Sequence, residues 1–156
     1  MGISYHPPQG SIIKVDFDGA FRLPEMVKPR LCVVLSKQIK ARVRLCTVVP
    51  LSTTAPVPVM PYHLKVEVPF ALPERWGNQP RWLKGDMIYS VSFARVDLLV
   101  LGKNFAGKRF YQIEALPEDL FRQVQRCVLH GLGIEELTFG LPITSQAMWR
   151  LWQHPL

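Results

Sequence analysis

Five residues of this chain have the types needed to cleave a phosphodiester without a metal: Glu25, Arg30, Ser52, Thr53 and His63. Such a reaction must deprotonate a nucleophile, stabilise extra charge on phosphorus and protonate a leaving oxygen. In RNA the nucleophile can be the neighbouring 2′-hydroxyl, so no metal-activated water is needed. A planar guanidinium matches phosphate oxygens, a carboxylate or imidazole moves protons, and hydroxyls donate hydrogen bonds. Composition alone does not select these five from the other polar residues.

Charge points to the same ligand class. The net charge is +7 and the pI about 9.6, a balance that concentrates polyanions near the surface and speeds encounter with them. Part of the excess is clustered: Lys37, Lys40, Arg42 and Arg44 fall within eight residues with no acid between them. The plainer reading of that run is a solvated loop or strand face. Cys32, Cys46 and Cys127 are an odd set without metal-type spacing, so neither a disulfide framework nor a Cys/His metal site is expected. No metal and no cofactor is expected at all.

The elements that must position these residues can be read from periodicity. At 156 residues, 48% apolar and 20% charged, the chain suits one domain with a single core. No apolar run approaches a membrane span, and residues 1–10 lack the apolar stretch of a signal peptide, so a cytoplasmic location is expected. Ile13, Val15 and Phe17 alternate with polar residues, as in a half-buried strand. Residues 19–29 read as a loop. Leu31–Leu35 is a short continuous apolar run, a strand buried on both faces. Arg42–Leu51 is a further strand candidate, as is His63–Val68, with Leu64, Val66 and Val68 inward and His63 outward. Residues 69–84 carry three prolines and read as a long irregular loop, whose Trp76 and Trp82 could stack bases beside Arg75 and Arg81 or pin the loop to the body. Asp86–Phe93 and Arg109–Ile113 are shorter strands. Pro117-Glu118-Asp119 opens a helix with Leu120, Val124 and Val128 on one stripe, ended at Gly131. Strands first and one helix last predict a mainly β, α+β domain: a small twisted antiparallel sheet or barrel with a helix packed on it. Residues 143–153 are a second, short helix candidate. The expected division is a domain over 1–139 and a C-terminal extension over 140–156.

Gly10-Ser-Ile-Ile-Lys-Val-Asp-Phe17, then Glu25-Met-Val-Lys-Pro-Arg30, Leu31-Cys-Val-Val-Leu-Ser36 and Val48-Val-Pro-Leu-Ser-Thr53 together resemble the ordered blocks of the MazF/PemK toxin family. His63–Val68, Gly85-Asp-Met-Ile-Tyr89 and the helix after Pro117 follow in the family's order. The resemblance spans roughly 10–132. It implies an SH3-like small antiparallel barrel packed by a C-terminal helix (MazF/PemK/CcdB-like), usually a homodimer. It also implies an endoribonuclease for single-stranded RNA, held in check by an acidic antitoxin. Arg30 would stabilise the transition state, Ser52 would stand where the family commonly has a functional threonine with Thr53 beside it, and Glu25 would act as base or orient the arginine. Lys28, Lys37, Lys40, Arg42, Arg44, His63 and Arg81 are the expected RNA contacts. The chain departs from the pattern at Leu31, where the arginine is usually followed by proline, and at Tyr89 and Val91, where some members carry an arginine and an aspartate. Two rivals remain: a gyrase-inhibiting toxin of the same barrel, whose Trp-Gly-Ile ending the final Trp152-Gln-His-Pro-Leu156 does not match, and a non-catalytic RNA-binding module.

Overall fold

The computed structural model describes residues 2–19 and 21–134. Strands β1 (Ile12–Val15), β2 (Arg30–Val34) and β3 (Leu45–Ser52) pair antiparallel in succession. β3 is long enough to serve two neighbours on its far edge. Its last residues pair with β5 (Arg81–Lys84), which also pairs with β4 (His63–Val66). Its first half, Leu45–Val48, pairs with β6 (Tyr89–Ser92). A 3-10 turn over Phe93–Arg95 carries the chain from β6 to β7 (Val96–Asp97), which closes on the free edge of β1. The strands in the order β7-β1-β2-β3-β6 therefore curl into a small barrel, joined at the seam by three residues. The barrel and its C-terminal helix are the architecture the sequence predicts.

Alternation along the strands sorts side chains between two cores. Ile13, Val15, Phe17, Cys32, Val34, Cys46, Val48 and Val91 fill the barrel. Leu31, Val33, Val49 and Leu51 face the other way, against Val66, Leu83 and the Val124 and Cys127 positions of α1 (Glu118–Gly131). β2 is thus covered on both sides, which is why its apolar run is continuous rather than alternating. Each such buried side chain stabilises the fold by about 1.5–3 kcal/mol before entropy is counted.

Three expectations change. The strand expected over Arg42–Leu51 begins only at Leu45, because Arg42 lies in a turn and Arg44 has φ 65°. The loop expected over 69–84 ends in a strand, β5, whose inward residues are Arg81 and Leu83; a buried arginine conceals the alternation. The segment after β7 forms a separate hairpin, β8 (Val100–Lys103) with β9 (Arg109–Tyr111), of which the sequence suggested only the second strand. The 143–153 helix candidate and the 140–156 extension lie outside the described residues.

Candidate active site at the barrel mouth

Arg30 is the first residue of β2, with Val15 of β1 as its cross-strand partner. On the other side Leu31 pairs with Leu51, so the same register sets Ser52 opposite Arg30. Arg30 shares its face with Cys32 and Val34, and Ser52 shares its face with Cys46 and Val48, which is the inner face of the barrel. Both therefore stand at one end of the barrel interior. Arg30 is half-buried, and its Nε is sealed from water without a hydrogen-bond partner. Among the described residues no carboxylate pairs with it. A buried guanidinium donor without an acceptor costs free energy; Arg81 Nε is buried without an acceptor too, but its guanidinium is turned onto backbone carbonyls, whereas Arg30 stands at the barrel end. Its charge pulls the Cys32 thiol down, against the larger effect of burial, which pushes it well up.

Aromatic rings wall this mouth. Tyr89 lies 4.9 Å from Phe17 and 5.3 Å from Phe21, centroid to centroid. Its hydroxyl accepts from the Met26 amide at 3.1 Å, and Arg95 caps Phe21 at 5.7 Å. Arg95 also donates to the Asp16 carbonyl at 3.1 Å. The loop between β1 and β2 is thereby fastened over the barrel end at several points. Burial raises the Tyr89 phenol above its ordinary value; the Met26 amide opposes this, while Glu25, Cys32 and Asp86 add to it. Tyr89 thus feels both Glu25 and the core thiol beside Arg30. The sequence marked Tyr89 chiefly as the place where a family pair is missing.

The other expected residues divide sharply. Glu25 is exposed and does not pair with Arg30. Its carboxylate accepts from the Arg22 amide at 2.7 Å while its own amide donates to the Arg22 carbonyl at 2.8 Å, closing a turn on the same loop. Ser52 is buried, and its Oγ accepts from the Thr54 amide at 3.1 Å, whereas Thr53 is exposed at the rim. Lys28 is exposed two residues before Arg30.

Two expected RNA contacts are corrected. His63 does not face outward: its side chain is only 8% exposed, Nδ1 accepts from the Met60 amide at 3.0 Å and Nε2 lies 3.9 Å from Asp86. Burial, then Lys84, lowers its pKa, with Asp86 opposing. Arg81 is 3% exposed and donates to the carbonyls of Trp76 and Gly77. The cation that seemed free for phosphate instead fastens residues 76–77, and Trp76 packs on the helix-side core, as a pinning residue does.

Lys37, Lys40, Arg42 and Arg44 are all exposed, but they lie in the loop after β2, at the opposite end of that strand from Arg30. A five-residue strand puts roughly 13–17 Å between the two ends. Arg42 and Arg44 line a cavity of about 150 Å³ with Tyr5, His6, Gln38 and Phe93. No cluster of His, Cys, Asp and Glu suited to a metal ion occurs among the described residues.

A sequence profile described as "PemK-like, MazF-like toxin of type II toxin-antitoxin system" matches residues 8–132. The Escherichia coli (strain K12) protein YifN is 29% identical, over 85% of this chain and 96% of its own. An uncharacterized Haemophilus influenzae protein is 28% identical, over 88% and 98%. Among solved structures, MazF of Deinococcus radiodurans superposes with a TM-score of 0.54 at 18% identity, covering 83% of this chain and 98% of that one. An endoribonuclease from mycobacterial species in complex with its cognate antitoxin gives 0.53 at 13% identity, covering 83% and 97%. At such identities these two superpositions establish the fold alone.

Proposed function

The chain belongs to the family of PemK-like, MazF-like toxins of type II toxin–antitoxin systems, and from that premise we propose that it is a metal-independent endoribonuclease cleaving single-stranded RNA at Arg30. The observation that carries this reading is the unshared Arg30 guanidinium, held at an aromatic-walled mouth with its Nε sealed and unpartnered. A phosphate entering that mouth would supply the missing acceptor. The 2′-oxygen attacks phosphorus, the bond from phosphorus to the 5′-oxygen breaks, and the products are a cyclic phosphate, opened by water to a 3′-phosphate, and a 5′-hydroxyl. Arg30 carries the charge that builds on the phosphoryl oxygens, and Thr53 offers a hydroxyl at the rim. Proton transfers fall to the loop carboxylate of Glu25 and to Tyr89, whose raised phenol stays protonated at neutral pH and is suited to donate. Lys28 and the Lys37–Arg44 loop bind flanking phosphates. The protein works as a homodimer in the cytoplasm, without a cofactor, and an acidic antitoxin occupies the same surface.

A second reading, RNA binding without cleavage, draws on the engagement of Glu25 with Arg22 and of Ser52 with Thr54. One experiment separates the two: mixed RNA is incubated with the purified protein in EDTA and the new 5′ ends are sequenced. Defined 5′-hydroxyl ends that disappear with Arg30→Ala, and DNA of the same sequence left whole, are expected. The loss of one such donor costs roughly 10²-fold or more in rate. Activity abolished by chelator and restored by Mg²⁺ would place the protein in another nuclease class; binding without new ends would select the second reading.

A further inference from the structure

We propose that the β8–β9 hairpin is a second single-stranded RNA contact, stacking unpaired bases on Phe105 and Phe110 and holding phosphates with Lys103, Lys108 and Arg109. The proposal rests on the reading that this chain handles RNA, but not on cleavage.

The segment Lys103-Asn-Phe-Ala-Gly-Lys-Arg-Phe-Tyr111 contains three cations, three aromatic rings and no acid. In most solvated hairpins the turn would be polar and the rings would face the body. Here Phe105 stands at the tip fully exposed, Phe110 is half-exposed and Ile113 follows at 82% exposure. The tip is not slack. Asn104 Oδ1 accepts from the amides of Ala106 and Lys108 at 3.0 and 2.9 Å, the Asn104 amide donates to the Lys108 carbonyl at 2.9 Å, and Gly107 takes φ 77° to close the turn. A turn built this firmly presents Phe105 to water without a core to receive it.

The second ring is mounted differently. Gly102 is the cross-strand partner of Phe110, and a Cβ there would meet the Phe110 ring at 2.7 Å. The ring therefore lies against bare backbone at Gly102 and is half-exposed to water. A half-exposed ring on a two-stranded ribbon offers surface for stacking, and a stacked base contributes about 1–3 kcal/mol.

Charge selects the occupant. Lys103 and Arg109 are directly paired across the ribbon, and like charges so opposed destabilise it. Among the described residues no acid forms an ion pair with either. A phosphate between them removes that repulsion, and Lys108 adjoins the same pair. Adjacent cross-strand pairs face opposite sides of a ribbon, so the Phe110 ring and the Lys103/Arg109 pair lie on its two faces, and an unstacked anionic strand meets both by passing around the tip, where Phe105 and Lys108 stand.

The test uses Arg30→Ala protein, so that binding is read without cleavage, and a fluorescein-labelled oligouridylate followed by anisotropy. Adding Phe105→Ala should weaken binding by roughly fivefold to a hundredfold, and Phe105→Trp should restore it. Because Phe105 touches no core, the melting curve should not move. Replacing Lys103, Lys108 and Arg109 together by glutamine should lower the slope of log affinity against log salt by about 2. Affinity unchanged by Phe105→Ala would overturn the proposal. So would a loss of self-association with RNA affinity intact, since the hairpin would then be a contact between copies. Loss of binding in hairpin variants, even if the parent never cleaves RNA, would sustain this proposal while the nuclease reading fell.

Discussion

At the scale of single residues, the two neighbouring hydroxyls should separate by readout. Ser52 Oγ serves the Thr54 amide, so Ser52→Ala leaves a donor in the turn without its acceptor and should cost about 1 kcal/mol of stability. Thr53 is exposed, so Thr53→Ala should leave the melting temperature alone and slow RNA cleavage. The reverse assignment, a rate effect confined to Ser52, would mean that the turn opens when substrate binds. His63 supplies a pH dependence. Its Nδ1 accepts a hydrogen bond from Met60, so only the neutral ring with its proton on Nε2 satisfies the site. Burial first, and then the Lys84 charge, hold its folded pKa below the ordinary value of 6.5, with Asp86 opposing, and below that pH the unfolded chain binds more protons than the folded one. Stability is then present at neutral pH and is lost as pH falls from about 6.5 towards the lower folded pKa. Melting temperatures measured across that window should fall for the native chain and fall less for His63→Asn; parallel curves would remove His63 as the cause.

At the scale of elements, helix α1 is seated on backbone rather than on side chains at its C-terminal end. A Cβ at Gly85 would meet the Cys127 carbonyl oxygen at 2.6 Å and that of Tyr62 at 2.7 Å, and one at Gly131 would meet the Gly85 carbonyl. None of these atoms can rotate away. Gly85→Ala should therefore lift the end of the helix from the turn after β5, at a cost of about 1–3 kcal/mol. That corresponds to a fall of several degrees in melting temperature, with faster amide exchange concentrated in α1. An unchanged melt would show that the helix slides without penalty. The helix itself was legible, because its stripe and acidic first turn agree with one register, although the glycine that turns the chain at its end is Gly133, at φ 71°, and not the expected Gly131, which is still helical. So was β2, since an unbroken Leu31–Val34 run admits no solvent face. β5 was not, because its buried Arg81 turns one end of its guanidinium onto two carbonyls and no local pattern announces such a partner. For the same reason the sequence could nominate Arg30 but not its isolation: that Glu25 turns back on Arg22 is a property of the loop's closure, not of the Glu25-to-Arg30 spacing. Of the β8–β9 hairpin only the second strand was legible; β8, Val100-Leu-Gly-Lys103, is short, interrupted by a glycine and without alternating burial, so no period marks it.

At the scale of the whole molecule, charge and topology constrain the antitoxin proposed above. The chain carries a net +7, and its cations stand at both ends of β2: Lys28 and Arg30 at one, the Lys37–Arg44 loop at the other. A peptide that silences the enzyme must cover Arg30; one that also exploits the basic loop must run the length of the strand, roughly 13–17 Å or about five extended residues. We therefore expect a short neighbouring gene to encode an acidic protein with carboxylates at both ends of such a segment. Binding of the two purified proteins should weaken steeply with salt, since exposed charges a Debye length apart are screened at physiological ionic strength. Reversing Lys37, Arg42 and Arg44 to glutamate should raise the dissociation constant, mainly through slower association. Co-expression should rescue growth of cells making this protein, and the complex should not cleave RNA. A complex that forms equally well in high salt, or that still cuts RNA, would show that the partner docks elsewhere and that the barrel mouth at Arg30 remains open.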